Sequence, residues 1–338
     1  MPPVIDIHCH AAQAPAIAPL IETVFKPEYD AASFFSNEAS LAHNRNLGRE
    51  QYGLALTSLE ERLNRMDRSR VDIQAVSPSP QQFYWAEPTL GTRLARLQNE
   101  HIAALVAKNP ARLVGLGAVP LQDPRAAAAE LEHASTQLGL RGVQISTFVA
   151  GAELGDPEMA PFWEAAAALQ LVVFIHPLGF SHGERFRDFY LSNAVGHPAE
   201  STLALSSLIF NGVLQRHPSL KVIVAHGGGY LPFSSSRLDH AWKVRPECRL
   251  HIDRPPSEFL RQVYVDTVVY TPESVRTLVD SMGVDHVLLG TDYPFDMGED
   301  EPVTLIERVP GLTQSDRDLI CGGNAARLLR LEVPPLTA

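Results

Sequence analysis

Eight short runs of strand-forming residues, separated by stretches with helical periodicity, leave this chain few folds to choose from. The runs are 4–8, 73–77, 113–119, 142–146, 172–175, 221–225, 263–267 and 286–290. Several are apolar along their whole length, as in Val172-Val173-Phe174-Ile175, which is the pattern of strands covered on both faces of a parallel sheet. Between them lie amphipathic stretches such as Leu59, Leu63 and Met66 at i, i+4 and i+7, and the Ala-rich segment 125–138. Strand followed by helix, repeated eight times, predicts an α/β protein with a (β/α)8 TIM barrel. An open doubly wound sheet is the competing arrangement, but no Gly-rich nucleotide loop follows the first strand.

At 338 residues and 45% hydrophobic, the chain has enough apolar material for one large core, and a single barrel domain over 1–338 is expected. The rhythm breaks once. Segment 11–57 is too long for a simple connection, is rich in Pro, Phe, Asn and charge, and reads as an inserted loop region that walls or covers a site. Residues 332–338 read as a tail. With 28 Lys and Arg against 39 Asp and Glu, the net charge of −11 argues against general affinity for nucleic acid or anionic membrane, leaving small molecules as partners. Cys9, Cys248 and Cys321 are too few and scattered for a disulfide framework or zinc knuckle. No apolar run approaches membrane-spanning length and no leader-like start is visible, so a cytoplasmic location is expected.

The first strand ends in His8-Cys9-His10, and residues i and i+2 of a strand share a face, so both imidazoles should point one way and Cys9 the other. Three later strands end the same way in polar residues: 172–175 runs into His176, 221–225 into His226, and 286–290 into Thr291-Asp292. Taken singly, each has an ordinary reading as a hydrogen-bonded core histidine, an edge-strand pair or an Asx turn. Together, four strand ends that offer His-x-His, His, His and Asp point to a divalent-metal centre at the carboxyl end of the barrel, where such barrels form their sites. Gly227-Gly228-Gly229 lacks the phosphate-loop Lys and reads as room for close approach.

Four segments carry a wider likeness: Ile5-Asp6-Ile7-His8-Cys9-His10, Phe174-Ile175-His176-Pro177, Ala225-His226-Gly227-Gly228-Gly229 and Leu289-Gly290-Thr291-Asp292-Tyr293-Pro294-Phe295. They resemble the metal-site motifs of the amidohydrolase superfamily, and more narrowly its branch of metal-dependent decarboxylases containing 2-amino-3-carboxymuconate 6-semialdehyde decarboxylase. Phe83-Tyr84-Trp85-Ala86, Gly142-Val143-Gln144-Ile145, His197-Pro198-Ala199-Glu200-Ser201-Thr202 and Arg245-Pro246-Glu247 extend the resemblance over nearly the whole chain.

The resemblance implies that His8, His10, His176 and Asp292 hold one divalent ion, zinc with manganese also compatible, and that no organic cofactor is needed. His226 becomes the base beside the ion, with a fifth-ligand role as its alternative; Asp292 serves both as ligand and in catalysis. A two-metal centre would carboxylate a lysine after the fourth strand, and 144–147 has none. For the substrate carboxylate the resemblance points to Arg49 and Arg237, the latter lent across a homodimer interface. Asn193 stands where the branch carries a pocket tryptophan, so the substrate is expected to differ; Trp85 and Phe295 are candidate apolar walls. The implied reaction is non-oxidative decarboxylation of an unsaturated or aromatic carboxylic acid. Its alternative is a hydrolase or hydratase acting on an amide, lactone or C–C bond with the same metal-activated water.

Overall fold

The alternation of strand and helix closes on itself in the computed structural model, which describes residues 2–30, 36–48, 52–181 and 183–332. Eight parallel strands pair in chain order: β1 (Ile5–His10), β2 (Ile73–Ser77), β3 (Leu113–Gly117), β4 (Gly142–Ile145), β5 (Val172–Ile175), β6 (Lys221–Val224), β7 (Val263–Asp266) and β8 (Val287–Leu288). Backbone bonds from Ile7 N to Leu289 O at 3.0 Å, from Asp292 N to His8 O at 2.8 Å and from His10 N to Tyr293 O at 2.8 Å join the last strand to the first. The result is the predicted barrel.

Helices α1 (Leu59–Arg68), α2 (Pro88–Lys108), α3 (Pro124–Thr136), α4 (Ala160–Leu169), α5 (His197–Phe210), α6 (Leu231–Val244), α7 (Pro272–Met282) and α8 (Asn324–Leu329) accompany the strands. Their starts are written locally. Ser58, Asp123 and Thr271 each accept a backbone N–H of the helix that follows, and proline opens α2, α3 and α7, where its missing N–H costs nothing.

Strand side chains alternate between two apolar layers. Val173, Ile175, Val222 and Val224 face the helices with Phe162 and Trp163 of α4, whereas Val172, Phe174, Ile223 and Leu288 fill the barrel interior. Ala325, Leu328 and Leu329 of α8 close that interior from the amino-terminal end, so its open mouth lies at the carboxyl ends.

Strand β1 departs from simple alternation. A register shift between Asp6 and Cys9 lets Ile5 and Ile7 join the interior cluster while the neighbouring His8 also turns inward, its ring 4.9 Å from Phe174. Cys9, as expected, packs in the outer layer.

The expected strand at 113–119 stops at Gly117, and that at 286–290 is regular only over Val287–Leu288, because beyond it the chain bends to bond the His8 carbonyl. Within 11–57 lie the short helices Ala18–Ile21, Glu38–Leu47 and Gly53–Thr57. Of the expected tail, 333–338 fall outside the described residues. No helix among the described residues is long and apolar enough to cross a membrane.

Candidate metal centre and active site

Strand ends from four parts of the barrel bring His8, His10, His176, His226 and Asp292 together. The ring centroids of His8 and His10 each lie 4.9 Å from that of His176, which is 5.0 Å from that of His226. Asp292 stands at the centre. Its Oδ1 is 3.2 Å from His8 Nε2, 3.1 Å from His10 Nε2 and 4.0 Å from His176 Nε2, and its Oδ2 is 3.5 Å from His226 Nε2. Asp292 and His226 both adopt left-handed backbone conformations, with φ of 59° and 55°. Such strain in non-glycine residues is typical of sites the surrounding fold must hold in place. After His226 the three glycines continue at positive φ, and a Cβ on Gly229 would lie 2.3 Å from the Pro198 carbonyl oxygen. The room at Gly229 is thus taken up by backbone from α5, and that at Gly227 and Gly228 by the side chains of Val269 and Val265.

Hydrogen bonds on the far side of each ring decide which nitrogen faces the centre. His8 Nδ1 meets Asp266 Oδ2 at 2.7 Å, His10 Nδ1 meets the Pro78 carbonyl at 2.8 Å, and His176 Nδ1 meets the Pro177 carbonyl at 2.7 Å. All three partners are acceptors, so each Nδ1 carries a proton and Nε2 is the nitrogen turned toward Asp292, with a lone pair to offer a cation once the ring holds no second proton. The Nε2 atoms of His8 and His176 are buried and make no hydrogen bond. In the neutral rings these electron pairs converge with the Asp292 carboxylate. A cation is the partner that such an arrangement lacks, and imidazole nitrogens with one carboxylate oxygen suit a divalent transition metal.

Electrostatics agree with that reading. Burial pushes His176 well below its ordinary value, and burial likewise lowers His10. Burial would also lower His8, but the carboxylates of Asp292 and Asp266 outweigh it and push the ring up to about 10. Asp292 is drawn well below the carboxylate range despite burial, because His8, His10 and His226 surround it. With no ion bound, His8 is where the charge that the carboxylates demand is held.

The atoms that lie within 4.8 Å of one another belong to His8, His176, His226 and Asp292. His10 stays outside this set, although its Nε2 is within 3.1 Å of Asp292. The resemblance implies the reverse, with His10 in the ligand set and His226 beside it.

Two cavities open on the cluster. The first, about 230 Å³, is lined by His176, Asp292, Phe295, Tyr52, Asn193 and His197. The second, about 210 Å³, is lined by His226, Tyr230, Phe233, Tyr270, Asn193 and His197.

The sequence-predicted substrate contacts divide. Phe295 lies 5.3 Å from the His10 ring, and Asn193 lines both cavities. Trp85 does not reach either cavity; its indole is stacked on Tyr29 at 5.3 Å and packed against Phe25, so residues of the inserted segment cover it. It lines an adjoining groove that shares Pro80 and Leu178 with the first cavity. Arg237 is exposed on α6 and lines neither cavity. Arg49 lies outside the described residues.

Sequence reasoning passed over Asp266, although it too ends a strand. Its Oδ2 accepts from both His8 Nδ1 and the His226 backbone N–H, and Gly290 makes room, since a Cβ there would meet Asp266 and His8 at 2.9 and 3.0 Å. It also missed Arg62, a buried cation of α1 that donates to the His10 carbonyl and, at 2.8 Å, to Gln74 Oε1. Nothing in an amphipathic helix marks one arginine as inward-facing. His197 stands out in the sequence only as part of a likeness; its ring stacks on His226 at 5.5 Å, and burial, with His226 beside it, pushes it down to about 3.

Comparisons with known proteins agree with this geometry. A sequence model of the amidohydrolase family matches residues 5–331. The chain is 41% identical over 273 residues to 2-amino-3-carboxymuconate-6-semialdehyde decarboxylase of Dictyostelium discoideum, covering 80% of this chain and 76% of that protein. Gamma-resorcylate decarboxylase of Polaromonas sp. is 29% identical, over 80% of this chain and 87% of its own length. Among solved structures, 5-carboxyvanillate decarboxylase from Sphingomonas paucimobilis superimposes with a TM-score of 0.82 at 27% identity, covering 98% of this chain and 99% of the other. A dihydroxybenzoic acid decarboxylase from Polaromonas sp., with bound manganese and the inhibitor 2-nitroresorcinol, gives 0.80 at 26% identity, covering 98% of each chain.

Proposed function

The chain belongs to the amidohydrolase family, and on that premise we propose that it is a metal-dependent non-oxidative decarboxylase of an unsaturated or aromatic carboxylic acid. One observation carries the reading: the inward Nε2 atoms of His8 and His176, which have no hydrogen-bond partner, converge on the Asp292 carboxylate that His226 also faces. That the relatives named above are decarboxylases fixes the reaction type.

His8, His10, His176 and Asp292 would hold one divalent ion, zinc in our assignment because the donors are imidazole nitrogens and a carboxylate. The ion supplies Lewis-acid polarisation of a substrate oxygen when it is bound. Asp266, Pro78 and Pro177 keep the three rings in the tautomer that ligation needs.

His226 carries the proton. Its Nε2 faces Asp292 Oδ2 at 3.5 Å, and the side chain also borders the second cavity, so it can pass a proton from Nε2 to the carbon that bears the carboxylate. The bond from that carbon to the carboxylate then breaks, its electron pair returns to the ring or diene, and CO2 leaves. One proton is consumed in each turnover, and water restores it to His226. Phe295 and Asn193 wall the substrate.

Arg237 anchors the carboxylate from a second copy of the chain. In support, its side chain is exposed on α6 and forms no ion pair among the described residues. Arg49 would anchor from the same chain. The assembly is then a homodimer of single barrel domains over 1–338. Cytoplasmic residence belongs to the same reading, with Cys9, Cys248 and Cys321 all free thiols.

A panel of aromatic and muconate-type acids, followed together by CO2 release and by absorbance on metal-loaded protein, tests the reading. Loss of an acid matched mole for mole by CO2 is expected. Turnover of amides or lactones with none of the acids giving CO2 would replace it with the hydrolase alternative.

A further inference from the structure

Neither the ligand set nor the proton relay uses His197, yet this residue lines both cavities that open on the cluster. Asn193, His197 and Met297 are the residues common to both cavities, so a substrate lying between Asp292 and His226 must run against them. The His197 ring stacks on His226 with centroids 5.5 Å apart and planes 27° apart, and it lies 6.3 Å from the His176 ring. Its position is beside the reacting end, not at a distant rim.

The chemistry His197 offers is set by Asn193. The Asn193 side-chain amide donates from Nδ2 to His197 Nδ1 at 3.3 Å. A ring nitrogen that accepts has no proton, so the neutral imidazole carries its proton on Nε2. Among the described residues, Nε2 has no hydrogen-bond partner and no acidic side chain forms an ion pair with the ring. The site therefore presents one uncharged N–H donor next to the metal cluster. Such a donor fits a neutral oxygen substituent and gives no special welcome to a second carboxylate, which needs a charged partner to offset its desolvation.

Resting on the decarboxylase reading, we propose that His197, with its tautomer fixed by Asn193, is a specificity residue that selects acids bearing a hydroxyl group, whose oxygen accepts from His197 Nε2. His197 touches substrate, and Asn193, which walls the same space, also positions the proton of His197.

Calorimetric binding of 2-, 3- and 4-hydroxybenzoate and of the matching methylbenzoates to the metal-loaded protein tests this. At least one hydroxy acid should bind about tenfold more tightly than its methyl counterpart, the scale of one net hydrogen bond. The preference should fall to within about twofold in His197→Met and return in His197→Gln, which keeps an amide donor, while metal content stays level. Asn193→Leu, which frees the tautomer, should weaken the preference even if His197→Met fails to fold. Absence of a hydroxyl preference in the parent protein, or one that survives both His197→Met and Asn193→Leu, overturns the proposal. The decarboxylase reading fails separately: it falls if no acid yields CO2, whatever the binding pattern, and it survives if CO2 is released while the hydroxyl preference ignores His197.

Discussion

Asp266 Oδ2 accepts a hydrogen bond from His8 Nδ1 at 2.7 Å, and the same oxygen accepts the backbone N–H of His226 at 3.1 Å. One buried carboxylate thus orients a proposed metal ligand and the loop that carries the proposed proton donor. His8 in turn holds Asp266 below the usual carboxylate range, against the effect of burial.

Replacement of Asp266 by alanine should therefore damage two functions at once. Metal affinity and kcat should each fall about 10- to 100-fold, as when outer partners of ligating histidines are removed. Titration of the metal-free variant with zinc, alongside steady-state kinetics, measures both. A variant that binds metal normally would mean that His8 keeps its orientation without Asp266.

His226 makes a different prediction. In His226→Asn about one ion per chain should remain bound while kcat falls by about 100-fold or more, the usual scale for loss of a general acid–base. Elemental analysis of the variant decides it. Since His226 also falls within ligand distance of His8, His176 and Asp292, loss of the ion would assign it to the coordination shell in place of His10.

Much of this site is legible in the sequence because a parallel barrel leaves its strands at one end. The expected strands agree with the observed ones to within a few residues, and His8, His10, His176, His226 and Asp292 are found where apolar runs stop. Three things were not legible. The shift in β1 that turns Ile7 and His8 to the same interior depends on pairing with β2, which a period-two pattern does not contain. Burial of Arg62 depends on acceptors at His10 and Gln74, one contributed by each of two strands. The place of Trp85 depends on Tyr29 and Phe25, contributed by a segment whose sequence has no periodicity to read.

The shared-site assignment of Arg237 is open to complementation. Arg237→Ala and His226→Asn should each be nearly inactive alone, and mixing them with subunit exchange should restore activity. In a heterodimer one site then receives both defects and the other none, so equal mixing should recover about a quarter of parental activity. No recovery despite demonstrated exchange would place Arg237 in its own subunit's chemistry or outside it.

The claim that most needs a direct answer is that this barrel protonates a carbon and releases CO2, without adding water across a bond. Turnover by the metal-loaded protein of whichever acid proves a substrate, run in parallel in deuterium oxide and in oxygen-18 water and read by mass spectrometry, gives that answer. The account predicts one solvent deuteron on the carbon that lost its carboxylate and no solvent oxygen in the organic product. An organic product that carries oxygen-18, with its carboxylate retained, would contradict it.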